Sequence, residues 1–125
     1  MIFDNTLKNA RAALIQTMIG SSPTLEIWTG PPPLVCSDPA SGVLLATLFF
    51  SVTWLSSPVA GLVSQTGTCA TGGGGAVATG LPGYFRIKDA SGVVRAQGKA
   101  GEDLTLAPIV AGTSVTLTSF SHLDT

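Results

Sequence analysis

The chain is 125 residues long and carries six Lys or Arg against seven Asp or Glu, a net charge of −1. Charged residues make up 10% of it, against about 25% in an ordinary soluble domain, and Gly, Thr and Ser take their place with 15, 15 and 12 positions. A balance this close to neutral lacks the electrostatic footprint that nucleic acid or an anionic membrane demands, so neither is expected as a partner.

The length suits one domain with a core of its own, and 45% apolar residues are enough to offset the entropy of ordering the chain. The longest apolar run, Val43 to Leu55, is broken by Thr47, Ser51 and Thr53 and falls short of the roughly 20 residues a bilayer core needs. Met1-Ile2-Phe3-Asp4 has no basic leader, and Lys8 and Arg11 stand where a signal peptide would be apolar. Cys36 and Cys69 read as free structural thiols in preference to one disulfide, because nothing points to an oxidising compartment.

Residues 4–19 read as the only helix. Leu7, Ala10, Leu14, Ile15 and Met18 follow a 3.6-residue period, Asp4, Asn5 or Thr6 caps the start, and Gly20 with Ser-Ser-Pro supplies the stop. After Pro23 the pattern turns to strands. Thr24–Trp28 alternates, with Leu25 and Ile27 on one face, and Pro31, Pro32 and Pro33 end it because proline cannot donate to a ladder. Gly42 to Leu55 reads as one or two buried strands with a bend near Ser51, and Val59 to Ser64 as a shorter one. Thr66 to Gly75 is low in complexity and reads as a loop, with Ala76–Thr79 a further strand candidate and Gly80–Gly83 a turn.

The hairpin signal comes next: Tyr84–Lys88 alternates, Asp89–Gly92 has turn chemistry, and Val93–Gln97 returns. Leu104–Leu106 and Ser114–Ser121 complete about seven or eight strands at the spacing of an antiparallel β-sandwich or jelly-roll-like barrel. The expected organisation is an N-terminal amphipathic helix (1–20) on a β domain (21–125), one domain in all.

A search for chemistry finds little. Cys36, Cys69 and His122 fall short of the four ligands a zinc site takes. His122 and Asp124 have no Gly-x-Ser-x-Gly elbow to serve. Glu102 and Asp103 are adjacent, so in a strand or turn they point apart and read as a solvated turn. Gly72–Gly75 lacks the Gly-Lys-Ser/Thr ending of a phosphate loop; it reads as a loop that moves or fits closely against something. Tyr84, Arg86 and Lys88 share one parity and read as the polar outer face of a half-buried hairpin rather than as a nucleic-acid site. No enzyme activity, cofactor, metal or small-molecule substrate is expected.

The ordered set of motifs carries a resemblance. Leu7-Lys8-Asn9-Ala10-Arg11 comes first, then Leu25 to Pro33 (LEIWTGPPP), Gly42 to Ala46 (GVLLA), Gly83 to Gly92 (GYFRIKDASG), Gly101 to Leu106 (GEDLTL) and Ala111 to Phe120 (AGTSVTLTSF). This series resembles a family of small structural proteins of tailed bacteriophages and prophages. The resemblance implies a virion component assembled in the host cytoplasm, placed on the capsid surface as a decoration or cement protein. Its partners would be the major capsid protein and further copies of itself. A head–tail junction or tail component is the nearest alternative, and a host-surface or carbohydrate-binding β module another. Leu7, Leu14, Met18, Trp28, Pro31, Pro32, Pro33 and Tyr84 are the interface candidates, since apolar and aromatic side chains concentrate at interface cores. Trp54 reads as core.

Overall fold

Asp4 starts the first element of the fold: its Oδ1 accepts from the Leu7 N–H at 2.8 Å and caps a helix, α1 (Asn5–Ile19). Gly20, at φ +84°, closes that helix, its N–H reaching the Gln16 carbonyl. The computed structural model describes residues 2–51, 54–66, 69–100, 108–117 and 121–123. Within them follow β1 (Thr24–Trp28), β2 (Leu44–Phe50), β3 (Leu62–Ser64), β4 (Cys69–Thr71), β5 (Tyr84–Lys88), β6 (Val94–Lys99), β7 (Thr116–Leu117) and β8 (Ser121–Leu123).

The protein is mainly β, with one N-terminal helix and a six-stranded antiparallel sheet in the order β6-β5-β1-β2-β4-β7. The expected barrel does not form, for the sheet neither closes nor curls. Where a sandwich would lay a full second sheet, the described chain has α1, Trp54, Leu55 and the two-stranded ladder β3–β8. The β3 strand is turned by Ala60 and Gly61, both at positive φ, between the paired residues Val59 and Leu62.

β1 is the centre of the sheet, and its alternation dictates the core. Leu25 lies between Leu48 and Ile87, and Ile27 between Ala46 and Phe85; Leu25 and Ile27 are fully buried. Each such side chain contributes about 1.5–3 kcal/mol by leaving water. Ala12 and Ile19 of α1, Trp54, Leu55 and Val63 belong to the same core. Trp54 satisfies its ring N–H on the Gly20 carbonyl at 2.9 Å and packs on Phe50 with ring centroids 5.0 Å apart, which ties the helix end to the end of β2.

The hairpin β5–β6 forms where its pattern places it, but its second face is not the solvated face expected. Tyr84 and Arg86 are buried. The proline run explains the difference. A segment that cannot join a ladder leaves β1 and folds back across the neighbouring strands. Ser41 bonds Tyr84, the Asp38 carbonyl accepts from Arg86 Nη2 at 2.7 Å, and the Pro33 carbonyl accepts from Gln97 Nε2 at 2.7 Å. Both ends of this segment are crowded. A Cβ at Gly83 would collide with the backbone of Gly30, and one at Gly42 with the carbonyl of Thr29.

The stretch expected as a loop over Thr66–Gly75 contains β4, which pairs with β2 through Cys69↔Phe50 and Thr71↔Leu48. Gly72–Gly75 is a turn beyond it, after which Val77 donates to the Leu45 carbonyl and Ala76 to that of Thr113. Ala76–Thr79 forms no named strand. Of the two readings of the glycine run, close fit holds at Gly75, at φ +67°, where a Cβ would meet the Thr113 carbonyl oxygen at 2.6 Å; at Gly73 and Gly74 a Cβ would meet nothing. Glu102, Asp103, Leu104–Leu106 and Asp124 lie outside the described residues. The expected last strand, 114–121, is represented by β7 and the start of β8, which belong to different sheets.

Candidate interaction surface

The helix was expected to bury the stripe Leu7, Ala10, Leu14, Ile15 and Met18. It buries Ala12 and Ile19 instead, with Ile15 half-buried between them. At 100° per residue this inward face is turned by roughly a third of a revolution from Leu7, Leu14 and Met18. Those three residues stand outside, exposed at 44%, 54% and 55%. α1 therefore has two apolar faces, one in the core and one in solvent. Its attachment is completed by polar anchors at both ends, since the Gly61 N–H donates to Asn9 Oδ1 at 2.8 Å and Trp54 to Gly20.

An apolar groove of about 440 Å³ runs beside the exposed stripe. It is lined by Leu14, Ile15 and Met18 of α1, by Ile87 and Ala96 of the hairpin, and by Trp54. Two guanidiniums line it. Arg11 lies over the Phe3 ring, 4.8 Å from its centroid, a cation–π contact. Arg95 is the extra residue of a bulge, because Ile87 faces Ala96 while Lys88 faces Val94; bulges re-aim a side chain in this way. Its Nε donates to Asp89 Oδ2 at 3.0 Å. The Asp89 carboxylate also accepts the N–H groups of Ser91 and Val93. Above all the Val93 bond, then those from Arg95 and Ser91, hold its pKa below the ordinary value.

The second group of candidates lies around the proline segment. Trp28 is half-buried, stacked on Tyr84 with ring centroids 6.4 Å apart and planes 11° apart. Its ring N–H reaches Glu26 Oε1, which also pairs with Lys88 Nζ at 3.0 Å. Pro31 is exposed, and Pro32 and Pro33 are half-buried. Tyr84, expected at an interface, is a buried support for this segment. The exposed apolar side chains here are Leu34, 96% accessible, and Val35. Sequence reasoning passed over both, although an apolar pair just past a proline run, outside any strand, was a readable signal.

Cys36 is half-buried and Cys69 buried; both are free. Burial pushes the Cys69 thiol up to about 12. Trp54 is core, as expected. Backbone pairing places His122 opposite Val63. Among the described residues no three of His, Cys, Asp or Glu gather in a group able to hold a metal. No described helix is long and apolar enough to cross a membrane.

No protein-family model matches the chain, nor does any curated protein or solved structure.

Proposed function

We propose that the chain is a structural protein of a tailed-bacteriophage particle, a decoration or cement protein that docks on the major capsid protein. The observation that carries docking is the exposed stripe Leu7, Leu14 and Met18 on a helix whose other face already fills the core. Such a stripe contributes nothing to folding and gains free energy only when something covers it. The virion part of the reading rests on the ordered motifs given above. A shell repeats every contact by symmetry, so weak apolar contacts made by many copies add up to firm attachment. The reading contains no catalytic step and needs no cofactor.

A junction or tail component would use the same surface and differ in copy number. A carbohydrate-binding module would need an exposed pair of rings; Trp54 and Tyr84 are inside, and only Trp28 is partly accessible.

Heads of the cognate phage, purified from a strain lacking this gene, provide the test. The added chain should co-sediment with them, and a Leu14→Lys, Met18→Lys double variant of unchanged circular dichroism should not. Native particles should carry on the order of hundreds of copies, as a shell lattice requires. Equal sedimentation of the two proteins, or about a dozen copies per particle, would sink the decoration reading.

A further inference from the structure

Two side chains that pin the proline segment each have a second polar group to satisfy. Arg86 is 3% exposed and Gln97 half-buried. Nη2 of Arg86 donates to the Asp38 carbonyl and Nε2 of Gln97 to the Pro33 carbonyl, both at 2.7 Å. Arg86 Nε and Gln97 Oε1 are buried, and neither has a hydrogen-bond partner among the described residues. One is a donor and the other an acceptor, on residues directly opposite each other in β5 and β6. Such cross-strand partners share a face of the sheet, with Cβ atoms roughly 4.5–5.5 Å apart.

The orientation of the Gln97 amide is dictated by its partner. A carbonyl only accepts, so Pro33 must receive the NH2 end, and Oε1 is left to find a donor elsewhere. On the other flank of Arg86, Glu26 is its register partner in β1, but that Oε1 is engaged by Trp28 and Lys88. Folded proteins rarely leave a buried donor and acceptor unpaired, and an ordered water joins such groups where they do not bond directly.

We propose that one water molecule is bound between Arg86 and Gln97, accepting from Arg86 Nε–H and donating to Gln97 Oε1. The site selects water over an anion. A halide would answer the guanidinium but would face the lone pairs of Oε1, whereas water offers a lone pair to one group and a proton to the other. The bound water thereby becomes part of the attachment of the proline segment, which is otherwise held here through Pro33, Asp38 and Ser41. The inference is independent of the virion reading, since it concerns how the segment is held and not what the chain docks on.

A crystal structure of the intact chain, at a resolution that orders solvent, tests it. Density for one water should lie within hydrogen-bond distance of both Arg86 Nε and Gln97 Oε1. Bromide-soaked crystals should give no anomalous signal at that position. In solution, a rotating-frame NMR experiment should give a cross peak between the Arg86 Nε–H and the water resonance, opposite in sign to the diagonal. Gln97→Met, which removes the acceptor, should lose the density; if that variant does not fold, the parent map decides. A direct bond between Arg86 Nε and Gln97 Oε1, or a bromide peak between them, would overturn the proposal. So would density that persists unchanged in Gln97→Met, or a cross peak with the sign of the diagonal, which would mean that the proton itself exchanges with open solvent.

Discussion

Tyr84 and Ser41, 43 positions apart, exchange two hydrogen bonds: the Ser41 N–H donates to the phenol oxygen at 3.0 Å, and the phenol O–H donates to the Ser41 carbonyl at 2.7 Å. A side chain thus takes the place of a strand partner for a segment that its prolines keep out of the sheet.

Tyr84→Phe removes both bonds and keeps the ring against Trp28. Each bond is worth about 0.5–1.5 kcal/mol, so denaturant titration should show a loss of about 1–3 kcal/mol. Thiol reagent should also label Cys36, in the same segment, faster than in the parent. An unchanged labelling rate would mean that the segment is held without Tyr84.

Gly83→Ala should destabilise by about 1–3 kcal/mol or more, the cost of overpacking against atoms that cannot swing away, since its Cβ meets the backbone of Gly30. Gly74→Ala, where a Cβ has open space around it, should stay within about 0.5 kcal/mol. Melting curves of the two variants side by side check the contrast.

The two faces of α1 should separate in stability measurements. Ile19→Ala opens the core and should cost about 2–5 kcal/mol. Leu14→Lys changes a side chain more than half in solvent and should shift stability by no more than about 0.5 kcal/mol. A large loss from Leu14→Lys would reverse the assignment of the faces.

Much of the fold can be read directly from the residues. Asp4, Gly20 and the alternation of Thr24–Trp28 bound α1 and β1 correctly, because caps and period-2 burial act locally. The inward face of the helix could not be read so. Leu7, Leu14 and Met18 outweigh Ala12 and Ile19 in hydrophobicity, yet Ala12 and Ile19 are the residues buried in the core, and periodicity alone does not tell which side packs. Residues 84–88 misled for a different reason. Alternation reports one buried face, and burial of Tyr84 and Arg86 is imposed by residues 38–41, far away in sequence. β4 was hidden because Cys-Ala-Thr beside four glycines has little strand signal; pairing to β2 decides it. Of the candidate surface, the stripe was legible as residues but not as an exposed face. Arg95 was invisible, since only the bulge brings it to the groove.

Two titrations should shape the pH dependence of stability. The Asp89 carboxyl lies below its ordinary 3.8 in the folded state, so folded protein releases that proton more readily than unfolded chain. Its contribution is present above that value and lost as pH falls through the lower, folded one. The Cys69 thiol is shifted the other way, from 9.0 to about 12. Its contribution is complete below about 9 and lost as pH rises from there toward 12. Denaturation midpoints measured against pH should show a shallower acid limb in Asp89→Asn and a shallower alkaline limb in Cys69→Ala, each relative to the parent.

The sheet order has a consequence for synthesis. β1 leaves the ribosome well before one of its two partners, for it is flanked by β2 and by β5, which ends at Lys88. Until that residue has emerged, one edge of the central strand stands open, with the apolar side chains of Leu25 and Ile27 uncovered beside it. Long-range pairing of this kind slows folding toward the millisecond-to-second range, and an open apolar edge invites the wrong neighbour. A nascent chain stalled in the glycine run would hold β1 and β2 without the hairpin that completes them, and that is the intermediate most exposed to misassembly in a crowded cell.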